Sequence, residues 1–248
     1  MRIDVVFGGP AFAPFDVTGR MVAVIDVLRA SSTIAAALTN GARAVIPLEN
    51  SDDVVRTAKA FERTDVRLAG ERKMLPIPGF DLGNSPREFT REAVEGKTVI
   101  MATTNGTPAI AAAQGARDVV IASYVNYTAV LAMMRAALRG GADVTLVCAG
   151  RDRQFALEDA GCAGRYVYNV SKRLTGIELN DAAQACVLID RKYGDRVLGL
   201  FEASEHGRAL RDAGFGDDLT ACADVDSYPV IPLYQERQIT KLGPDRER

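Results

Sequence analysis

Several apolar runs in this 248-residue chain end in residues suited to holding a phosphate group. The first ends in Asp26-Val27-Leu28-Arg29-Ala30-Ser31-Ser32-Thr33, and another in Thr103-Thr104-Asn105-Gly106-Thr107. A third ends in Cys148-Ala149-Gly150-Arg151, with Glu158-Asp159 a few residues on. Ser31, Ser32 and Thr33 stand where a helix begins, and there unpaired N–H groups and the helix dipole favour an anion. Arg29 adds a planar fork that can bind phosphate through two nitrogens. The same hydroxyls could simply cap a helix, as Ser and Thr at helix starts commonly do. Thr103, Thr104, Asn105 and Thr107 are rich in donors, and Gly106 lets a backbone come close. The glycine motifs of P-loop and dinucleotide-binding folds are absent.

The acids near these loops suggest a hard cation. Asp26 closes an apolar strand, where an unpaired charge is expensive. It could pair with Arg29 as scaffolding, or help hold a metal. Leu28 stands where a haloacid-dehalogenase-type phosphatase would carry a second acid, which argues against that superfamily. Glu158 and Asp159 offer oxygen ligands for Mg²⁺. Neighbours in a regular helix point about 100° apart, so a solvated first turn is the alternative reading. Gly70-Glu71-Arg72-Lys73 and Gly79-Phe80-Asp81-Leu82-Gly83-Asn84-Ser85-Pro86 gather Glu71, Arg72, Asp81 and Asn84 in a turn-rich stretch expected to wall a pocket. His206, the single histidine, is expected to be exposed or capping. Zinc is not expected from one histidine and four scattered cysteines.

Positioning these loops requires strands and helices in alternation. Strands are expected at Met21–Val27, Ala44–Pro47, Val66–Ala69, Thr98–Ala102, Asp118–Ala122 and Val144–Cys148, with a C-terminal group within Leu219–Leu242. Helices are expected near Ser51–Arg63, Pro86–Val94, Asn126–Leu138, Leu157–Leu174, Asp181–Tyr193 and Glu205–Ala213. Ser85-Pro86-Arg87-Glu88 reads as a capping box with proline at the first helical position. Gly140, Gly194 and Gly214 fall where a left-handed residue often ends a helix. The pattern predicts one α/β domain over residues 1–248, three-layered, with a mostly parallel but mixed sheet. Val22–Ile46 also aligns with Gly96–Val120 at an offset of 74. The alignment suggests repeat halves near residues 20–65 and 96–140 whose βα loops open on one sheet edge.

Thirty basic residues against thirty-two acidic ones leave a net charge of −2, which removes the global electrostatic case for nucleic acid. The N-terminus has no signal-peptide core, and no run of eighteen apolar residues crosses a membrane. The cysteines form no CxxC pair, and they are read as reduced thiols in a cytoplasmic protein. An exposed sheet edge would suit a homodimer. The tail Gly243–Arg248 has the composition of a frayed terminus.

Taken together, the Asp26–Thr33, Gly70–Arg72, Gly79–Pro86, Thr103–Thr107, Cys148–Gly150 and Glu158-Asp159 blocks resemble, in order, those of the 2-phosphosulfolactate phosphatase family. Ser204-Glu205-His206-Gly207 and Val230-Ile231-Pro232 look similar too, and the Gly79–Pro86 block is the most specific. The resemblance implies an α/β fold of its own type and a Mg²⁺-dependent phosphomonoesterase acting on 2-hydroxycarboxylate phosphates, small anionic esters. In methanogens the named reaction serves coenzyme M synthesis. On this reading Asp26, Arg29, Asn105 and Glu158 form the catalytic set. Arg29, Ser31, Ser32 and Thr33 hold the phosphoryl group, assisted by Thr104, Asn105, Gly106 and Thr107, with Asn84 in the pocket wall. Arg72 and Arg151 pair with carboxylate or sulfonate. Asp26, Glu158 and Asp159, with Asp81, hold Mg²⁺. Lys73-Met74-Leu75-Pro76 departs from the family's glycine-rich turn, so the shape of that wall is open. The competing class is a non-catalytic anion-binding or sensing protein using the same loops.

Overall fold

The computed structural model describes residues 1–8, 17–152 and 154–243. Residues 244–248, most of the tail read above as frayed, lie outside the described residues. In chain order the elements are β1 (Arg2–Phe7), β2 (Met21–Ile25), α1 (Ala30–Thr39), β3 (Ala44–Leu48), α2 (Ser51–Ala58), β4 (Val66–Arg72), β5 (Leu75–Pro76), α3 (Arg91–Val94), β6 (Thr98–Ala102), α4 (Gly106–Ala112) and β7 (Asp118–Ala122). Then follow α5 (Tyr127–Arg139), β8 (Val144–Cys148), α6 (Leu157–Ser171), β9 (Glu178–Leu179), α7 (Asp181–Tyr193), α8 (Val197–Ala203), α9 (Glu205–Asp212), α10 (Gly216–Ala223), β10 (Pro232–Gln235) and β11 (Gln238–Lys241).

The strands form one mixed sheet in the order β5-β4-β6-β3-β11-β10-β7-β2-β8-β1-β9. Alternation along β2 explains why helices cover both faces. Met21, Ala23 and Ile25 point into one core with α5 and α6, while Val22 and Val24 point into another with α1 and α4. The small side chains of α1 let it lie flat on the sheet, and nearly all its residues are buried. Asn50, Thr90, Asn180 and Ser204 cap α2, α3, α7 and α9 by accepting from backbone amides three residues on. Among the described residues no helix is long and apolar enough to cross a membrane.

The two parallel blocks run in opposite directions. β3, β6 and β4 are mutually parallel, as are β7, β2, β8 and β1. Between them sits the β10–β11 hairpin, antiparallel to β7 on one side and to β3 on the other. The loops after β2 and β6 therefore leave opposite edges of the sheet, which corrects the expectation of a shared edge. The two loops nevertheless meet, lining one cavity and coming into contact at Gly106 and Asp26.

Local readings are corrected in several places. The Pro86–Val94 helix is a 3₁₀ turn at Pro86–Glu88 followed by the short α3. Its expected capping box does not form, because Ser85 Oγ donates to Asp218 and Glu88 accepts from the Gly83 amide. The C-terminal strands expected within Leu219–Leu242 are β10 and β11, with the end of α10 occupying Leu219–Ala223, and β1 and α8 had no sequence counterpart. After α5 the left-handed residue is Gly141 rather than Gly140, whereas Gly194 and Gly214 do have positive φ.

Helices α6 and α7 pack so closely at Gly164 that a β-carbon there would overlap the Cys186 carbonyl oxygen. Gly164→Ala is accordingly expected to lower stability by about 3 kcal/mol. The check is a reduced urea midpoint with an unchanged slope.

Candidate active site

Where the two loops meet, a cavity of about 330 Å³ opens. The β2–α1 loop contributes Asp26, Leu28 and Arg29, and the β4–β5 turn contributes Glu71, Lys73 and Met74. Asn84 follows from the next loop, Thr104 and Asn105 from the β6–α4 loop, Arg151 and Asp152 from the segment after β8, and His206 from the first turn of α9. A second cavity of about 400 Å³ shares Arg151, Asp152 and His206 and adds Phe155, Leu157 and Glu158.

Asp26 is 7% exposed and makes no ion pair among the described residues. Burial pushes its carboxyl up to about 7. The His206 charge opposes the shift, and neighbouring Glu71 and Glu158 reinforce it. The amide of Ala30, at the start of α1, favours the charged form. A β-carbon on Gly106 would sit 2.7 Å from Asp26 Oδ2 and 2.6 Å from Ala30 Cβ, so only glycine lets the two loops approach this closely.

Glu71 binds the walls together. Its Oε1 accepts from Thr104 N at 2.7 Å and its Oε2 from Met74 N at 2.8 Å. Two cavity-lining side chains keep buried atoms without a hydrogen-bond partner, Asn84 Oδ1 and Thr104 Oγ1. Asn84 is only 5% exposed. Buried polar atoms are rarely left unpaired, so both mark places where a bound group would complete the bonding. Glu158 is buried and lies 3.1 Å from His206 Nδ1.

The structure divides the expected site residues. Asp26, Arg29, Asn84, Thr104, Asn105 and Arg151 line the first cavity, and Glu158 lines the second. Gly106 is the contact point described above. The hydroxyls of Ser31, Ser32 and Thr33 do not face the cavity. Ser31 Oγ accepts from the Asp26 amide at 2.9 Å, Ser32 Oγ donates to Val27 O at 2.9 Å, and Thr33 Oγ1 donates to Asn84 O at 2.9 Å. Thr107 Oγ1 accepts from Thr103 N at 3.1 Å. These residues shape the loops, which is the capping alternative in a broader form.

Arg29 differs in detail from the expected phosphate fork. It donates to Asp218 Oδ2 at 2.7 Å and to Met74 O at 2.7 Å, and it stacks on Phe215. Arg72 lies outside the cavity and donates to Glu49 O. Asp81 is taken up by Arg63 and by the Leu68 amide, on the far side of the wall. Asp159 accepts from Val27 N at 2.9 Å and Gly150 N at 3.0 Å, clasping the ends of β2 and β8. Burial, then Asp26 and Glu158, push its carboxyl well above the usual range. Neither Asp81 nor Asp159 lines either cavity.

Glu71 and Lys73 line the cavity, as expected of the Gly70–Lys73 wall though with no role assigned there, whereas Asp152 and His206 had no place in the expected site. Period-two alternation along β4 held a signal for Glu71. It falls on the side of buried Ala69, whereas Arg72 faces away. His206 had no such signal, because its partner Glu158 is 48 residues away.

The family described as 2-phosphosulpholactate phosphatase matches residues 11–237. A protein of Symbiobacterium thermophilum named "Probable 2-phosphosulfolactate phosphatase" is 39% identical over 92% of this chain and 96% of its own length. Proteins of the same name from Pseudothermotoga lettingae and Caldanaerobacter subterraneus are 37% and 36% identical, over 94% and 88% of this chain and 98% and 88% of their own. With a cavity walled by the same sequence blocks, and with these matches along nearly its whole length, the chain belongs to the 2-phosphosulfolactate phosphatase family, whose name describes a phosphoric monoester hydrolase.

Proposed function

We propose that the chain hydrolyses a phosphate monoester of a small 2-hydroxycarboxylic acid, 2-phosphosulfolactate or a close relative, with Mg²⁺ as cofactor and in the cytoplasm. The observation that carries this reading is the buried Asp26 carboxylate, which shares one cavity with Glu71 and the unpartnered Asn84 Oδ1 and has no ion-pair partner among the described residues. Family membership supplies the class of reaction.

The donor set suits Mg²⁺. It consists of oxygens, and a Mg²⁺ site commonly uses one or two carboxylates together with waters and substrate phosphate. Among the described residues no three His, Cys, Asp or Glu side chains are placed to hold a metal ion by themselves. Asp26 and Asn84 Oδ1 would hold the ion, with Glu71 fixing the two loops beside it through its bonds to Thr104 N and Met74 N. When bound it would neutralise charge on the phosphoryl oxygens. In the reaction a water oxygen bonds to phosphorus as the ester P–O bond breaks, and the ester oxygen leaves as the hydroxyl of the acid after gaining a proton. Arg29, fixed by Asp218, keeps a positive charge at the wall. The side chain of Asn105 and the hydroxyl of Thr104 border the same space. Such fixed groups act where water is excluded, and they need not reorganise during the reaction. In this reading the site lies between two copies of a β-α-β-α-β unit, β2–β4 and β6–β8. Their strands occupy corresponding places on either side of the β10–β11 hairpin.

Phosphate release from 2-phospholactate is expected to stop on chelation of divalent metal and to return with Mg²⁺. Binding without turnover would instead establish an anion sensor. Asp26→Asn is expected to cut kcat/KM by at least ~10²-fold while the protein stays folded. Near-normal turnover in that variant would remove Asp26 from the mechanism.

A pH effect on stability follows from the same residue. Native Asp26 holds its proton up to about pH 7, whereas the unfolded side chain releases it near 3.8. The native state binds the extra proton in that window, so this group makes metal-free stability fall as pH rises through it. Thermal melts in chelator across that range should show the decline in the native protein and its reduction in Asp26→Asn. Mg²⁺ should raise the melting temperature of the former and not of the latter.

A further inference from the structure

The β4–β5 turn holds a cation over the cavity with no partner of its own. Arg72 pairs with Leu75 across the two strands, which leaves Lys73 and Met74 as a two-residue turn. Both have positive φ, 50° and 72°, although neither is glycine. That combination is the geometry of the tight hairpin turn that normally selects Asn and Gly, and non-glycine residues occupy it at a cost. The backbone is held in this shape from both sides. Met74 N–H donates to Glu71 at 2.8 Å, and Met74 C=O accepts from Arg29 at 2.7 Å.

The other cationic groups around the cavity are committed. Arg29 is paired with Asp218, Arg151 with Glu205, and His206 with Glu158. Lys73 makes no hydrogen bond or ion pair with any described residue. Across the Glu71 carboxylate from the turn lies Thr104. Its amide donates to Glu71 Oε1 at 2.7 Å, and its buried hydroxyl has no partner. Lys73 and Thr104 thus line one space, and the Glu71 carboxylate joins the two segments that carry them through the amides of Met74 and Thr104. An ammonium and a hydroxyl donor suit a second group of anionic oxygens.

We infer that Lys73 and the Thr104 hydroxyl form the subsite for the acid group of the substrate that does not react, a carboxylate or a sulfonate. This assignment rests on reading the cavity as a phosphoester site and makes Lys73 a specificity-determining residue within it. The β4–β5 turn then selects phosphoesters that carry a second anion over neutral alkyl phosphates.

The test compares matched esters. 2-Phospholactate and isopropyl phosphate differ in size mainly by a carboxylate, and 2-phosphooxyethanesulfonate and ethyl phosphate by a sulfonate. In Lys73→Gln the preference for the acid-bearing member, as a ratio of kcat/KM values, should fall about tenfold, mostly through KM. Lys73→Arg should restore most of it. The pair that shows the fall identifies which acid occupies the subsite. An unchanged ratio in both pairs overturns the assignment, as does a loss equal for acid-bearing and neutral esters. Should the native protein hydrolyse none of the four esters, the phosphatase reading fails separately. Calorimetric titration with lactate and with sulfolactate then decides the subsite. Binding weakened about tenfold by Lys73→Gln supports it. Equal binding to both proteins, or none to the native one, overturns it.

Discussion

The structure depends on one close approach, between the Asp26 carboxylate and the first turn of α4. The two parallel blocks of the sheet run in opposite senses, so their strand-end loops start from opposite edges. The absence of a side chain at Gly106 lets them share one space. A methyl group at that position would press on both Asp26 and Ala30.

Buried charge keeps the contact in place. Asp159 ties the ends of β2 and β8 through two backbone amides, Glu71 ties the β4–β5 turn to the β6–α4 loop, and Asp218 fixes Arg29 against the turn. An ion buried without a partner is strongly unfavourable, whereas one with good hydrogen bonds can be tolerated and fixes geometry. Three acids are thus satisfied by the protein itself. Asp26 has no ion pair among the described residues, and burial raises its carboxyl as it raises that of Asp159.

This division separates scaffold from chemistry more sharply than residue type does. Ser31, Ser32, Thr33 and Thr107 have the hydrogen-bonding capacity of a phosphate site, yet they direct it to the loops that carry the site. Asn84 and Thr104 keep unused polar atoms facing the cavity. Lys73 occupies a turn that glycine would fill more easily, and the bonds of Met74 to Glu71 and Arg29 hold it there.

Most of the fold was legible in the sequence. Continuous apolar runs marked β2, β3, β6, β7 and β8, because strands covered on both faces have no polar side to show. Asp181–Tyr193 matched α7 at both ends, where Asn180 caps it and Gly194 closes it. The β2 and β6 loops could be recognised as lining a pocket because Asp26, Asn105 and Gly106 stand at strand ends whatever the pairing. Sequence did not reveal the direction of one block relative to the other, since the deciding hairpin lies more than a hundred residues after β6. It also did not reveal which polar groups remain free. A serine or aspartate beside a helix start looks the same whether its partner is a local amide or a substrate. Pairings such as Arg29 with Asp218, 189 positions apart, are set only when the chain has folded. Local pattern determined the elements and the residue types at their ends, while the tertiary structure decided which side chains were left with bonds to give, because long-range partners had already claimed the rest.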